Sequence, residues 1–295
     1  MSNTAFDNPF VRIPDGQTRL LGVIGHPVAH TLSPAIHNPA LAWLGLNMRY
    51  LAFHVHPERL AEAVRGFVAM GMVGFNATVP HKEALLPLMD WVDPLAQRIG
   101  AINTVAIDET GRLRGYNTDA SGFTDALTEA FPRLDLGKTA VLVLGAGGAA
   151  RGVVVGLLEA GAPHIVVANR TRSRAEQLIA DLAPCYPGAT LEAVALTLQS
   201  LPLAECDLLV NTTLPGSESA AVQAVAMECL PKTALVCDIV YTPPETPLLR
   251  AAKEHGLATL NGLGMLIHQG SRAFTLWTGQ KMPVAPIRER LLGLL

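Results

Sequence analysis

The sequence predicts a two-domain α/β protein, and three observations carry that expectation. The chain has 295 residues with 49% hydrophobic content, enough for two buried cores. Short apolar runs alternate with stretches of helical period along most of its length. Near Lys138 the pattern changes, from strands broken by polar turns to one continuous apolar strand, a glycine loop and an apolar helix.

The elements follow in order. Residues 20–25 read as a strand, and Ile36, Ala40, Trp43 and Leu44 fall on one face of a helix. A strand at 50–55 leads into a helix opened by Pro57, on which Leu60, Val64, Phe67 and Val68 repeat the helical spacing. A third strand covers 73–75. Runs at 104–107 and 113–116 flank Asp108-Glu109-Thr110-Gly111, the signal of a hairpin at a sheet edge. Beyond Lys138, strands at 141–144, 164–168, 207–210 and 234–239 separated by helical patterns are the arithmetic of a parallel sheet. A final helix at 263–276 is placed to return to the first domain.

Bulk properties exclude several functions. A net charge of −3 with 16% charged residues offers no basic face, so no nucleic-acid partner is expected. The longest apolar run, 139–150, stops at Arg151, short of the ~20 residues of a bilayer span, so no membrane partner is expected either. Residues 1–18 read as a frayed polar leader without a signal-peptide pattern, which points to the cytoplasm. Cys185, Cys206, Cys229 and Cys237 form no C-x-x-C pair and read as reduced, partly buried thiols. His26, His30 and His37 crowd one early segment but read as polar loop residues, and no metal is expected.

Gly145-Ala146-Gly147-Gly148-Ala149-Ala150 follows a strand and opens a helix, the context of a dinucleotide fingerprint in a Rossmann-type, doubly wound domain. Glycines there let backbone N–H groups and the helix N-terminus approach a pyrophosphate. An acidic residue at the end of the next strand would hold the ribose of NAD. This chain has Asn169-Arg170-Thr171-Arg172-Ser173-Arg174 instead, and guanidinium groups there favour the 2′-phosphate of NADP. Arg172 also reads as a solvated helix start, a reading that suits Arg170 and Arg174 less well.

Four further segments place polar residues in apolar surroundings: Thr31-Leu32-Ser33-Pro34, Gly74 through Lys82, Ala101-Ile102-Asn103-Thr104, and Asn117-Thr118-Asp119. Singly, each reads as turn or capping chemistry. In this order, together with Asp238-Ile239-Val240-Tyr241 and Asn261 through Gln269, they resemble the shikimate dehydrogenase family over nearly the whole chain.

That resemblance implies a fold, an activity and a site. The fold is an N-terminal α/β substrate domain with a mixed sheet, residues 1–118 with 263–295, plus an NADP-binding Rossmann domain, 119–262. The activity is NADPH-dependent interconversion of 3-dehydroshikimate and shikimate, in chorismate and aromatic amino-acid biosynthesis, by a monomer or homodimer. Thr31 and Ser33 are implied to grip the substrate carboxylate, and Asn76, Thr78, Asn103 and Gln269 to bond its ring hydroxyls, with Tyr241 beside them. Lys82 and Asp119 are implied as the catalytic pair in a cleft between the domains. Gly145, Ala146, Gly147, Gly148, Ala149, Asn169, Arg170, Thr171 and Arg174 are implied to hold NADP, with Ile239 and Gly262 at its nicotinamide end.

Two positions depart from the family pattern: Thr31 stands where serine is usual, crowding the carboxylate grip with a methyl, and Ala77 replaces a common valine. Thr31 keeps quinate open as an alternative substrate. A non-catalytic sensor with the same body is expected to lose the lysine or the aspartate, and both are present here.

Overall fold

The computed structural model describes residues 13–213 and 225–294. It divides into two compact units, Met1–Thr118 with Gly270–Leu294, and Asp119–Gln269.

The first unit carries β1 (Arg19–Gly25), α1 (Ser33–Trp43), β2 (Met48–His54), α2 (Leu60–Ala69), β3 (Gly74–Ala77), α3 (His81–Ala84), β4 (Trp91–Val92), α4 (Pro94–Ile99), β5 (Thr104–Ile107) and β6 (Leu113–Tyr116). Its sheet runs β2-β1-β3-β5-β6-β4. β1 pairs in parallel with β2 and β3, whereas β5 is antiparallel to both β3 and β6, so the sheet is mixed. β1 is an interior strand, and its last five residues are buried. α2 turns Leu60, Val64 and Phe67 inward, and Phe67 meets Phe53 and Phe75 at ring-centroid distances of 5.3 and 5.2 Å. α4 begins at Asp93, whose carboxylate accepts from the N–H groups of Leu95 and Ala96, and ends at Gly100, where φ is +71°.

The second unit holds α5 (Asp119–Ala130), β7 (Ala140–Leu144), α6 (Gly148–Glu159), β8 (His164–Asn169), α7 (Arg172–Leu182), β9 (Thr190–Ala195), β10 (Leu208–Asn211), β11 (Leu235–Asp238), α8 (Pro247–Glu254) and β12 (Ala258–Leu260). All six strands are parallel, in the order β12-β11-β10-β7-β8-β9. The chain order reverses between β7 and β10, which makes this a doubly wound sheet with its switch point beside the glycine loop. Leu142, Leu144, Val166, Leu209 and Val236 fill one core of this unit.

α9 (Leu263–Thr278) leaves the second unit at Gln269 and continues into the first, followed by α10 (Val284–Leu292). Its last turns are pinned in the first unit. Trp277 Nε1 donates to Val105 O at 2.9 Å, and Gly74 makes room, because a Cβ there would run into the indole and that same carbonyl.

Several sequence expectations need correction. The hairpin of β5 and β6 is not the sheet edge, since the two-residue β4 pairs outside β6; so short a strand carries no period to read. Trp43 is 55% exposed rather than on the buried face of α1, because the helix ends at that residue. His37 is fully buried among Tyr50, Phe274 and Trp277, so it is a core residue and not a polar loop residue. Residues 1–12 of the expected leader lie outside the described residues, but Asp15 to Thr18 form a hydrogen-bonded turn, and Thr18 Oγ1 donates to Asn47. The cysteines divide into buried Cys206 and Cys237 and exposed Cys185 and Cys229.

Candidate active site

In the first unit, strand register gathers the polar segments at one edge of the sheet. β1, β2 and β3 run in parallel and end together, with Gly25 opposite His54 and Ile24 opposite Ala77. β5 starts and β6 finishes at that same edge, since Asn76 faces Thr104 and Thr104 faces Tyr116. The loop before α1, the turn after β3, Asn103 and Asn117-Thr118 therefore all emerge there. Backbone bonds close the edge: Ala77 N donates to Asn103 O at 2.8 Å, Asn103 N to Tyr116 O at 3.1 Å, and Thr78 N to Ile24 O at 2.9 Å.

Thr31 and Ser33 are bonded to each other, Thr31 Oγ1 to Ser33 Oγ at 3.1 Å and Ser33 N to Thr31 Oγ1 at 3.2 Å, so two hydroxyls sit side by side at the start of α1. Ser33 is buried and Thr31 half-buried. Lys82 is half-buried on the single turn of α3, and its carbonyl accepts from Ile102 N at 2.8 Å. The neighbouring His81 is fixed by a 2.8 Å bond between Nε2 and Val55 O, and burial holds its pKa below the ordinary imidazole value.

Asn103 is the hub of this edge. Its Oδ1 accepts from Thr118 N at 2.8 Å and Thr104 Oγ1 at 2.9 Å, while its Nδ2 donates to Thr118 Oγ1 at 3.0 Å. Asn76 lies one strand away, its Nδ2 donating to Asn103 O at 3.1 Å and Thr104 Oγ1 at 2.9 Å. Tyr50, Thr104 and Thr118 belong to this network and were not singled out from the sequence for it. Tyr50 lay inside a predicted strand with nothing to mark its hydroxyl, and Thr104 and Thr118 appeared only within longer motifs.

In the second unit, Asp119 is buried at the start of α5, and Gln269 is buried with Nε2 donating to Leu266 O at 2.8 Å. Gly122 on α5 permits the close approach of Gln269, whose Cβ a side chain at 122 would meet at 2.7 Å. Tyr241 is half-buried, and burial pushes its phenol pKa up.

The glycine loop fits a dinucleotide. Gly145 has φ +111°, a backbone open to glycine, and a Cβ there would meet Thr212 Oγ1 at 2.5 Å. Thr212, after β10, is itself held to Leu144 O, at 2.9 Å by its N–H and 2.8 Å by its hydroxyl, which tightens the crevice at the switch point. Gly147 caps α6 without any side-chain bond, and a Cβ there would meet nothing within 4 Å. The backbone at the start of α6 is thus approachable at Gly147, as a phosphate on a helix N-terminus requires. Gly148 and Ala149 continue into that turn after Ala146.

At the end of β8, Asn169 Nδ2 donates to Thr171 O at 2.8 Å, shaping the turn into α7. Arg170, Thr171 and Arg174 are exposed. Arg172 pairs with Glu176 at 2.9 Å, whereas among the described residues Arg170 and Arg174 enter no ion pair. Across the sheet, Gly262 N donates to Val240 O at 3.1 Å, and a Cβ at 262 would strike the Ile239 backbone. Phe123, Asp238, Ile239, Gly262 and Met265 help to line a small concavity. Asp238 accepts from Thr246 Oγ1 at 2.8 Å and Val240 N at 3.0 Å, which fixes the strand end.

Three family profiles match the chain: a shikimate dehydrogenase substrate binding domain over residues 23–105, shikimate / quinate 5-dehydrogenase over 127–246, and a shikimate 5'-dehydrogenase C-terminal domain over 262–292. A shikimate dehydrogenase (NADP(+)) of Magnetococcus marinus is 49% identical, covering 94% of this chain and 96% of the relative. The crystal structure of shikimate dehydrogenase from Aquifex aeolicus superposes with a TM-score of 0.85 at 38% identity, over 95% of this chain and 99% of that one. The shikimate 5-dehydrogenase of Thermus thermophilus, in complex with NADP(H) and shikimate, is 40% identical with a TM-score of 0.80, over 94% of this chain and 100% of that one.

Proposed function

The chain belongs to the shikimate dehydrogenase family, and from that membership we propose that Lys82 and Asp119 manage the proton of its reaction. The reaction is the reversible, NADPH-dependent reduction of 3-dehydroshikimate to shikimate, an oxidoreductase step of chorismate and aromatic amino-acid biosynthesis. NADPH, when bound, supplies the hydride.

The protein's own residues then have two tasks, holding the substrate and supplying a proton where negative charge develops. In the proposed assignment Thr31 and Ser33 hold the carboxylate, and Thr78, Asn103 and Gln269 orient the ring hydroxyls with Tyr241 alongside. Lys82 gives a proton to the carbonyl oxygen as it becomes an alkoxide, and takes one back in the reverse direction. Asp119 keeps that ammonium in line. Gly145 through Ala149 receive the pyrophosphate, Asn169, Arg170, Thr171 and Arg174 the 2′-phosphate, and Ile239 and Gly262 the nicotinamide end. In this assignment the first unit carries Thr31, Ser33, Thr78, Lys82 and Asn103, and the second carries the cofactor residues together with Asp119, Tyr241 and Gln269. The proposal places the enzyme in the cytoplasm, as a monomer or homodimer.

One observation carries the assignment: Thr31, Ser33, Thr78, Lys82 and Asn103, far apart in the chain, leave one sheet edge together. Initial rates with shikimate and with quinate, each with NADP and with NAD, test it. Shikimate with NADP is expected to be the fastest pair, and a quinate and NAD preference would overturn the assignment of substrate and of the 2′-phosphate site.

A further inference from the structure

Tyr50 sits on β2, fully buried, and no role in the reaction has been assigned to it above. Its hydroxyl lies 2.6 Å from Asn76 Oδ1, and the Asn76 amide in turn reaches Asn103 O at 3.1 Å and Thr104 Oγ1 at 2.9 Å through Nδ2. The polarity of this chain is chemically forced. A backbone carbonyl only accepts, so the nitrogen of Asn76 must face Asn103 O, its oxygen must face Tyr50, and the phenol must be the donor. Both amide hydrogens of Asn76 are thereby used inside the protein, leaving no N–H for a substrate hydroxyl.

The phenol cannot withdraw from this position. Its ring stacks on His37 with centroids 4.2 Å apart and planes at 15°, and lies 6.0 Å from the ring of Trp277. Burial raises its pKa well above the ordinary phenol value, against a smaller opposing effect of the nearby Ser33 hydroxyl, so it stays protonated and a donor. A single buried hydroxyl therefore holds, through one amide, the peptide of Asn103.

We propose that Tyr50 and Asn76 are a positioning pair beneath the substrate site, which fixes Asn103 without touching substrate. This rests on the reading that Asn103 is a substrate ligand. Tyr50 moves no proton in the reaction.

Steady-state kinetics of the wild type, Tyr50→Phe, Asn76→Ala and the double variant test it, with shikimate and NADP varied separately. Y50F keeps the stacked ring and removes one oxygen. Its KM for shikimate is expected to rise about tenfold, equivalent to about 1.4 kcal/mol. Its KM for NADP should hold and its pH–rate profile should superimpose on that of the wild type, while its melting temperature falls because the buried Asn76 oxygen loses its donor. In the N76A background the same change should raise KM by less than about twofold, because the two residues act in series. An unchanged KM in Y50F, equal effects in both backgrounds, or a parallel loss of NADP affinity would each overturn the pairing. Should Y50F fail to fold, the hydroxyl proton of Tyr50 in the wild type, followed by NMR, is expected to shift on adding shikimate and not on adding NADP; no shift refutes the proposal. A wild type that neither binds nor turns over shikimate defeats the substrate reading itself, a separate result.

Discussion

Asn103 and Thr118 clasp each other through three hydrogen bonds, Thr118 N to Asn103 Oδ1 at 2.8 Å, Asn103 Nδ2 to Thr118 Oγ1 at 3.0 Å, and Thr118 Oγ1 to Asn103 Oδ1 at 3.2 Å. Both residues are almost wholly buried. One end of the clasp immediately precedes Asp119 in the chain, and the other follows Ile102, whose N–H binds the carbonyl of Lys82. The backbone positions of the two proposed catalytic residues are thus each one step from the same side-chain amide.

Replacing Asn103 separates two contributions. Asn103→Ala strands the Thr118 N–H and the Thr104 hydroxyl, each a cost of about 1–3 kcal/mol when left unpaired in the interior. Asn103→Asp keeps an acceptor for both and replaces the donating nitrogen with an oxygen. N103D is expected to unfold closer to the wild type in urea than N103A does, while both lose shikimate affinity. Equal stability of the two variants would show that the Oδ1 bonds do not hold the clasp.

Lys82→Ala tests the proton donor. The variant is expected to lose ~10²-fold or more in kcat, the scale for a positioned acid, with a smaller change in shikimate binding measured by titration. Near-normal turnover removes Lys82 from the mechanism.

Arg170 and Arg174 test the cofactor assignment, since among the described residues neither enters an ion pair that would account for it. Charge-assisted bonds contribute about 1.5–3 kcal/mol, so R170A with R174A is expected to raise KM for NADP by about tenfold or more. The KM for NAD, which has no 2′-phosphate, should move little. A rise shared by both cofactors points instead to a damaged turn at Thr171.

His37 makes stability depend on pH. Burial lowers its pKa from 6.5 to about 3, so the folded state keeps the ring neutral where the unfolded chain protonates it. The unfolded state then binds more protons between those values, and stability falls as pH drops through that window. Integration gives a loss of about 2 kcal/mol at pH 5 relative to neutral pH. Among the described residues neither ring nitrogen has a hydrogen-bond partner, so His37→Phe keeps the stacking on Tyr50 and forfeits no bond there. Urea denaturation at pH 7 and pH 5 should show a shallower pH dependence in H37F; an unchanged slope assigns the acid sensitivity to other groups.

What the sequence by itself determined was whatever local pattern and residue chemistry encode. The period-2 and period-3.6 runs located the interior strands and the helices α1, α2, α6 and α9, because burial on one or both faces imposes that spacing, whereas α5 was not read from its sequence. The motifs ending at Lys82, Asn103 and Asp119, and the glycine loop at Gly145, were legible because their residue types serve few other purposes together. Beyond reach were β4, too short to show a period, the fully buried place of His37, and the hydroxyl of Tyr50. Only the tertiary structure decided those, since strand register brings Tyr50, Asn76, Asn103 and Thr118 into hydrogen-bond range from four separate segments. A residue's type gives its donors and acceptors, but which of them are already spent is set by neighbours distant in the chain.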